Sequence, residues 1–336
     1  MYPASFEYFA PETLDEALEI IGRYDEGEAK VLAGGMSLIP VMKLRFAAPR
    51  ALVDINRISG LDKLAYAGGR LTIGALVRHK ACEKSEILKG EYGALGDAAP
   101  QISDPIVRNV GTVAGSLAHA DPQGDWGSVM LATRAEVVAR SNGGERTIPI
   151  DELFIGPFTT SLQPNEIVTE VRVPDPGQHA AGTYLKLERK VGDFATVGVA
   201  VHIQKSNGNV GQAGIALTGV GPTNLRAEAA EQVLAGAELS DEAIDEAARL
   251  AAEAAQPRTD VRGTEEYKRN AVRVFTTRGL RKVRRQSMAE PDQKPDQDKI
   301  PQPERTDVPV EEGESSSVLE DTIEGVMEEV EEKEQS

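Results

Sequence analysis

The chain opens on a legible amphipathic pattern: Leu14, Ala17, Leu18 and Ile21 recur at helical spacing, and Thr13 with Glu16 has the form of a capping box. Gly22 predicts the end of that helix. An apolar run from Ala29 to Ala33 precedes a pair of glycines, then Leu38 to Arg45, then a second run from Leu52 to Ile55. The simplest parse is strand, glycine loop, short helix, strand. Hairpins are predicted where strand-like runs flank turn residues: Lys63 to Ala67 and Arg70 to Ile73 around Gly68-Gly69, and Glu136 to Arg140 and Arg146 to Ile150 around Asn142-Gly143-Gly144. Two short helical patterns lie between Arg78 and Ala99, and a strand over Ile167 to Val173 closes this half.

Pro174 to Gly182 holds two prolines and two glycines and reads as a domain boundary in which little could pack. Three strands follow, Thr183 to Arg189, Thr196 to Lys205 and Val210 to Thr218, with Ser206 to Asn209 as a hairpin turn. Helices are then predicted over Leu225 to Leu234, over Asp241 to Ala255 behind a Ser240 cap, and over Glu265 to Arg285 behind Thr264. Strands first and helices afterwards define an α+β layer. The expected division is a first domain over 1–176, with lobes of about 1–57 and 58–176, a smaller domain over 177–286, and a tail over 287–336. The tail is rich in Pro, Gln, Asp and Glu and is expected to be disordered apart from an acidic helix between Val318 and Glu334.

Charge changes this picture only at the tail. The net charge of -17 comes from 54 acidic and 37 basic residues, and the tail alone holds 17 acidic against 4 basic. The first 286 residues are therefore close to neutral. The single cysteine, Cys82, excludes a disulfide within the chain, a four-cysteine zinc site and an iron–sulfur cluster held by this chain alone. No apolar stretch approaches the roughly 18 residues of a membrane span, and Met1 to Tyr8 lacks a basic segment followed by an apolar one. The expectation is a cytoplasmic protein that neither binds nucleic acid nor spans a membrane, and that reaches the membrane's inner face only through partners.

Two glycine loops carry the candidate chemistry: Leu32-Ala-Gly-Gly-Met-Ser-Leu38 and Asn109-Val-Gly-Thr-Val-Ala-Gly-Ser-Leu117. Their small residues let backbone N–H groups approach a ligand, and Ser37, Thr112 and Ser116 add hydroxyls. Such a surface cradles a pyrophosphate without a lysine. The longer context, Val31 to Arg45 with Leu52 to Ile55 behind it, resembles the first flavin loop of the FAD-binding (medium) subunits of aerobic carbon monoxide dehydrogenase and xanthine dehydrogenase-type molybdenum hydroxylases. Asp104 to Pro122 resembles that family's second loop, and Tyr184 to Ala195 the segment that opens its C-terminal domain.

The resemblance implies a two-lobed FAD-binding domain of the vanillyl-alcohol-oxidase type, followed by a smaller domain of a three-stranded sheet plus helices. It implies an oxidoreductase subunit that carries FAD but no catalytic acid, base or nucleophile, and no metal. Partners would be a large subunit with the molybdenum cofactor and a small one with [2Fe-2S] clusters, paired as a dimer of heterotrimers. Electrons would pass from the clusters through FAD to a quinone or another external acceptor. Leu32, Ala33, Gly34, Gly35, Met36, Ser37 and Leu38, with Thr112, Val113, Ala114, Gly115 and Ser116, would line the pyrophosphate and ribityl chain. Asp125 would accept a cofactor hydroxyl, and Ile102, Val168, Lys186 and Phe194 would stand at the flavin.

Two departures bear on that reading. Ala114 replaces a common glycine and is tolerable only at negative φ, and Phe194 replaces a common tyrosine, which removes a phenolic hydroxyl. They motivate a competing reading, a scaffold subunit with a decayed flavin site. A free-standing flavin oxidase is a third, opposed by the lack of titratable residues clustered near the loops. The substrate stays open among carbon monoxide, xanthine-like heterocycles, nicotinate and aldehydes. His119 and Asp121 read as support for the second loop, Trp126 and Cys82 as packing residues, Gly219 to Asn224 as a strand-to-helix turn, and Arg278, Arg281, Lys282, Arg284 and Arg285 as a solvated helix end.

Overall fold

In the computed structural model, residues 2–89, 92–177 and 179–287 are described. The described residues from Pro3 onward belong to one body; the acidic helix expected after Val318 lies outside the described residues.

The first lobe is a parallel sheet built by the predicted strand, loop, helix, strand unit. Its elements are β1 (Glu7–Phe9), α1 (Leu14–Ile21), β2 (Ala29–Leu32), α2 (Leu38–Lys43) and β3 (Ala51–Asp54), with sheet order β1-β3-β2. Thr13 caps α1, its hydroxyl accepting from the Glu16 amide at 3.2 Å, and Glu16 reaches back to accept from the Glu12 amide at 3.1 Å. Ala17, Leu18, Ile20 and Ile21 are thereby buried.

The second lobe opens with the hairpin β4 (Leu64–Ala67) and β5 (Arg70–Gly74). A run of short helices follows: α3 (His79–Lys84), α4 (Gly93–Ala98), α5 (Pro105–Val110), α6 (Val113–His119) and α7 (Asp125–Ala132). Hairpin β6 (Glu136–Ser141) and β7 (Gly144–Pro149) comes next, then α8 (Ile150–Leu153), the small pair β8 (Phe154–Gly156) and β9 (Thr159–Thr160), and β10 (Ile167–Pro174). The antiparallel sheet has the order β4-β5-β10-β6-β7, so the last strand inserts between the two hairpins. Trp126, Met130 and Leu95 are fully covered on its helical side.

The C-terminal layer is a second antiparallel sheet, β11 (Ala180–Leu187), β12 (Val197–Ser206), β13 (Asn209–Thr218) and β14 (Leu225–Arg226), covered by α9 (Glu228–Leu234), α10 (Asp241–Ala254) and α11 (Glu265–Gln286). The hairpin turn holds Asn207 at φ 53° and Gly208 at φ 85°, the paired positive values of a tight two-residue turn. Ser240 and Thr264 cap α10 and α11 as expected.

Two expectations are corrected. Leu225 and Arg226 do not start a helix; they pair with Leu217 and Ala216 as a short edge strand beside the three predicted ones. Ala180 to Gly182 is not an unpacked linker either, because its small side chains let α4 press on β11. A Cβ at Gly93 would stand 2.5 Å from the Gly182 carbonyl oxygen, and one at Gly182 would meet the Ala94 amide nitrogen at 3.1 Å.

Candidate cofactor-binding site

The two glycine loops come from different lobes and close on each other. The first leaves β2 and enters α2, with Gly35 at φ +67°, a conformation that disfavours any side chain. Gly34 stands so close to the second loop that a Cβ on it would lie 2.5 Å from the Val110 carbonyl oxygen and 2.7 Å from the Gly111 Cα. The second loop leaves α5 and enters α6 through Thr112, whose hydroxyl accepts from the Gly115 amide at 3.1 Å.

A polar chain staples the loops together. Asn56 donates from Nδ2 to the Ala33 carbonyl at 2.7 Å and accepts at Oδ1 from Arg78 Nη2 at 2.5 Å, while Arg78 Nη1 donates to the Val110 carbonyl. The backbone adds the His79 amide to the Gly111 carbonyl at 3.0 Å and the Val113 amide to the Val77 carbonyl at 3.2 Å. The sequence carried no signal for Asn56 or Arg78.

The consecutive amides of Gly34, Gly35, Met36 and Ser37, with that of Ala114, find no acceptor among the described residues. The hydroxyls of Ser37 and Ser116 are likewise uncommitted. Consecutive backbone N–H groups without a protein acceptor are donors open to a ligand, and such a run suits an anion. Gly34 and Gly111 meet without side chains between them, and the donors match phosphate oxygens, so these residues fit an FAD pyrophosphate.

The remaining expected residues sort by surroundings. Leu32 packs with Met42 and Leu52, and Leu38 leans on that cluster, so the ends of the first loop are apolar anchors. Val113 and Ala114 turn their side chains into the core and leave their backbone to the loop face; Ala114 lies within helix α6 and is absent from the positive-φ residues, as its replacement of glycine requires. Ile102 is buried beside the Arg108 guanidinium, which donates to its carbonyl at 3.0 Å. Val168 lies in β10 at a register shift and packs on the main core. Neither is hydrogen-bonded to the loops.

Asp125 begins α7 but does not stand free. Its carboxylate is buried and accepts from Tyr184 Oη at 2.6 Å and from Lys186 Nζ at 3.0 Å. Burial raises its pKa, which the Lys186 charge opposes, and burial together with that carboxylate pushes the Tyr184 phenol well above its ordinary range. Lys186 is fully engaged: its ammonium also donates to the Gln101 carbonyl at 2.9 Å and stands 3.5 Å from Glu188. These groups tie α7 to β11.

Phe194 is presented on a fixed backbone. Its amide donates to Asp193 at 2.8 Å, its carbonyl accepts from Arg262 at 2.9 Å, and Arg262 also pairs with Asp193 at 3.0 Å. The Arg262 guanidinium, with the Phe194 amide and Arg189 helping against burial, holds the Asp193 carboxyl down to about 2. Phe194 as a residue stays 53% exposed. Gly192, at φ +83°, backs onto Ser103, next to Ile102.

Trp126 is more than packing. Its indole N–H donates to Nδ1 of His79 at 3.0 Å in the core. Burial, with Arg78 and Arg108 nearby, lowers the His79 pKa to about 4. His119 meets the Phe158 ring in a tilted contact, centroids 5.2 Å apart, and Asp121 accepts from the Gln123 amide at 2.9 Å. The basic end of α11 is not simply solvated: Lys282 pairs with Asp97 and Arg284 with Asp241, at 2.7 and 3.0 Å. Asn224 donates to the Gly124 and Thr218 oxygens at 3.1 Å, so Gly219 to Asn224 turns between strands and not directly into a helix. A groove of about 430 Å³ between α10 and α11 shares no residue with the loops.

Residues 4–176 match the FAD binding domain in molybdopterin dehydrogenase, and residues 182–283 the CO dehydrogenase flavoprotein C-terminal domain. The carbon monoxide dehydrogenase medium chain of Hydrogenophaga pseudoflava is 42% identical over 268 residues, 80% of this chain and 93% of that one. A 6-hydroxypseudooxynicotine dehydrogenase complex subunit alpha from Paenarthrobacter nicotinovorans is 36% identical over 285 residues, 84% of this chain and 96% of that one. A solved carbon monoxide dehydrogenase from Hydrogenophaga pseudoflava superposes with a TM-score of 0.82 over 85% of this chain and 99% of that one, at 42% identity. The fold is thus the two-domain FAD-binding fold of an FAD-dependent oxidoreductase subunit. The chain belongs to the medium, FAD-binding subunits of the molybdenum hydroxylase family.

Proposed function

We propose that this chain passes electrons from [2Fe-2S] clusters on a small partner subunit, through FAD, to an external acceptor such as a quinone. A large partner subunit would oxidise the substrate at a molybdenum cofactor, in a dimer of heterotrimers. The observation that carries the reading is the row of unpaired amides from Gly34 to Ser37 closed against Val110 and Gly111. Bound FAD supplies a carrier that takes up electrons from one partner and gives them to another.

The residues of this chain bind, orient and cover that carrier. Residues 1–176 would form the cradle and 177–286 its lid-side support. Ala33 to Ser37 and Thr112 to Ser116 offer amides and hydroxyls to the pyrophosphate and ribityl chain, and Ile102, Val168 and Phe194 border the flavin. Asp125 and Lys186 line the same side. Because their charged ends satisfy each other, they serve chiefly to hold α7 and β11 in register behind it.

Carbon monoxide is the favoured substrate of the assembly, supported by the identity to the Hydrogenophaga medium chain. No helix among the described residues is long and apolar enough to cross a membrane, which suits a cytoplasmic assembly reaching the membrane through its partners. The test is the full chain purified with its natural partner subunits. It should hold one FAD per chain and reduce dye with carbon monoxide; turnover with an N-heterocycle instead would reassign the substrate while leaving the flavin reading intact.

A further inference from the structure

His79 is 5% exposed and begins α3, immediately after the Arg78 staple. Its two ring nitrogens have different fates. An indole N–H only donates, so the contact from Trp126 at 3.0 Å obliges Nδ1 to be an unprotonated acceptor. The proton of the neutral ring must then sit on Nε2. Nε2 lies against the second loop: a Cβ at Gly111 would stand 2.8 Å from it. Among the described residues nothing accepts its proton. The ring is thus held from behind by one buried hydrogen bond, while its donor is left unanswered beside the Gly111 turn. Among the described residues Nε2 is not one of the fully occluded unpaired polar atoms, so its N–H is open to an acceptor that arrives from outside the protein.

We propose that His79 is a binding residue for FAD, with Nε2–H donating to a pyrophosphate oxygen at the second loop and Trp126 fixing the tautomer that permits it. The inference rests on the reading that FAD lies between the two loops. It adds an imidazole N–H to the hydroxyls and amides of the two loops, supplied from the strand-to-helix turn beside them. It also gives Gly111 a reason to lack a side chain, since any Cβ there would press on the imidazole.

The test uses the full chain with its partner subunits, stripped of flavin and titrated with FAD or with riboflavin, which has no pyrophosphate. His79→Leu should weaken FAD about 10- to 100-fold, the range of a lost hydrogen bond to a charged group, while leaving riboflavin within about threefold. His79→Gln, which places an N–H near the position of Nε2, should recover FAD affinity to within about threefold of wild type. If His79→Leu is unstable, the unmodified protein still decides: the His79 Nε2–H proton resonance should move on adding FAD and stay fixed on adding riboflavin. Equal weakening of both flavins by His79→Leu, no weakening of either, or a resonance indifferent to FAD overturns the role of His79. Wild-type protein that binds no FAD instead overturns the cradle itself.

Discussion

Lys186 of β11 and Asp125 of α7 meet at 3.0 Å, with side chains 1% and 7% exposed. Each charge is tolerable there only because of the other. Lys186→Ala or Asp125→Ala alone should therefore cost about 3–5 kcal/mol, the penalty of a stranded buried charge. Replacing both, as Asp125→Leu with Lys186→Met, should cost less than either single change. Urea unfolding of the four proteins measures this, and a double variant as unstable as the sum of the singles would contradict it.

Gly34 and Gly35 should be the least replaceable positions for cofactor content. Gly34→Ala drives a methyl group into the Val110 carbonyl, and Gly35→Ala combines a positive φ with an Ile39 methyl 2.7 Å away. Gly60, at φ +83° with nothing within 4 Å of a Cβ, is the control. Gly60→Ala should cost about 1–2 kcal/mol of backbone strain but keep its flavin. The flavin-to-protein absorbance ratio should fall severalfold for the first two and not for the third.

Acid should destabilise the fold through two buried imidazoles. Burial lowers both His79 and His202 to about 4, with cations nearby adding to the effect: Arg78 and Arg108 for His79, Arg134 for His202. A depressed pKa means the folded state prefers the neutral ring. The associated stability is therefore complete above the unfolded value of about 6.5 and is lost as pH falls toward 4. The melting temperature should drop across that window, and His202→Asn should flatten the drop.

Much of this fold is legible in the sequence where neighbouring residues decide it. Thr13 accepts from the Glu16 amide as its spacing predicts, and Asn207 and Gly208 take the positive φ values their turn requires. Ala114 is acceptable because it lies in a helix. The rest depends on partners far apart along the chain. Arg78 joins Asn56 to Val110 only once two lobes are docked, and no local pattern announces it. Tyr184 and Trp126 look like bulk until the hydrogen bonds from their polar edges are seen. Ala180 to Gly182 misleads for the same reason, since small residues mark a linker or a close approach equally well.

Arg262 should control the setting of Phe194, because it holds both the Phe194 carbonyl and the Asp193 carboxylate that fixes its amide. Arg262→Ala should leave FAD content near one per chain but change the visible circular dichroism of the bound flavin. Arg262→Lys should restore it only in part, since an ammonium cannot reproduce the two-pronged contact. An unchanged flavin spectrum in Arg262→Ala would separate this loop from the cofactor.

The central claim is that the two apposed glycine loops hold FAD. Its most direct measurement is flavin per chain in the full protein isolated with its partners, for wild type and for Gly35→Val. The account predicts one FAD per wild-type chain and a folded, assembled Gly35→Val protein with its flavin largely gone. A wild-type protein without flavin, or a Gly35→Val protein that keeps all of it, would contradict the account.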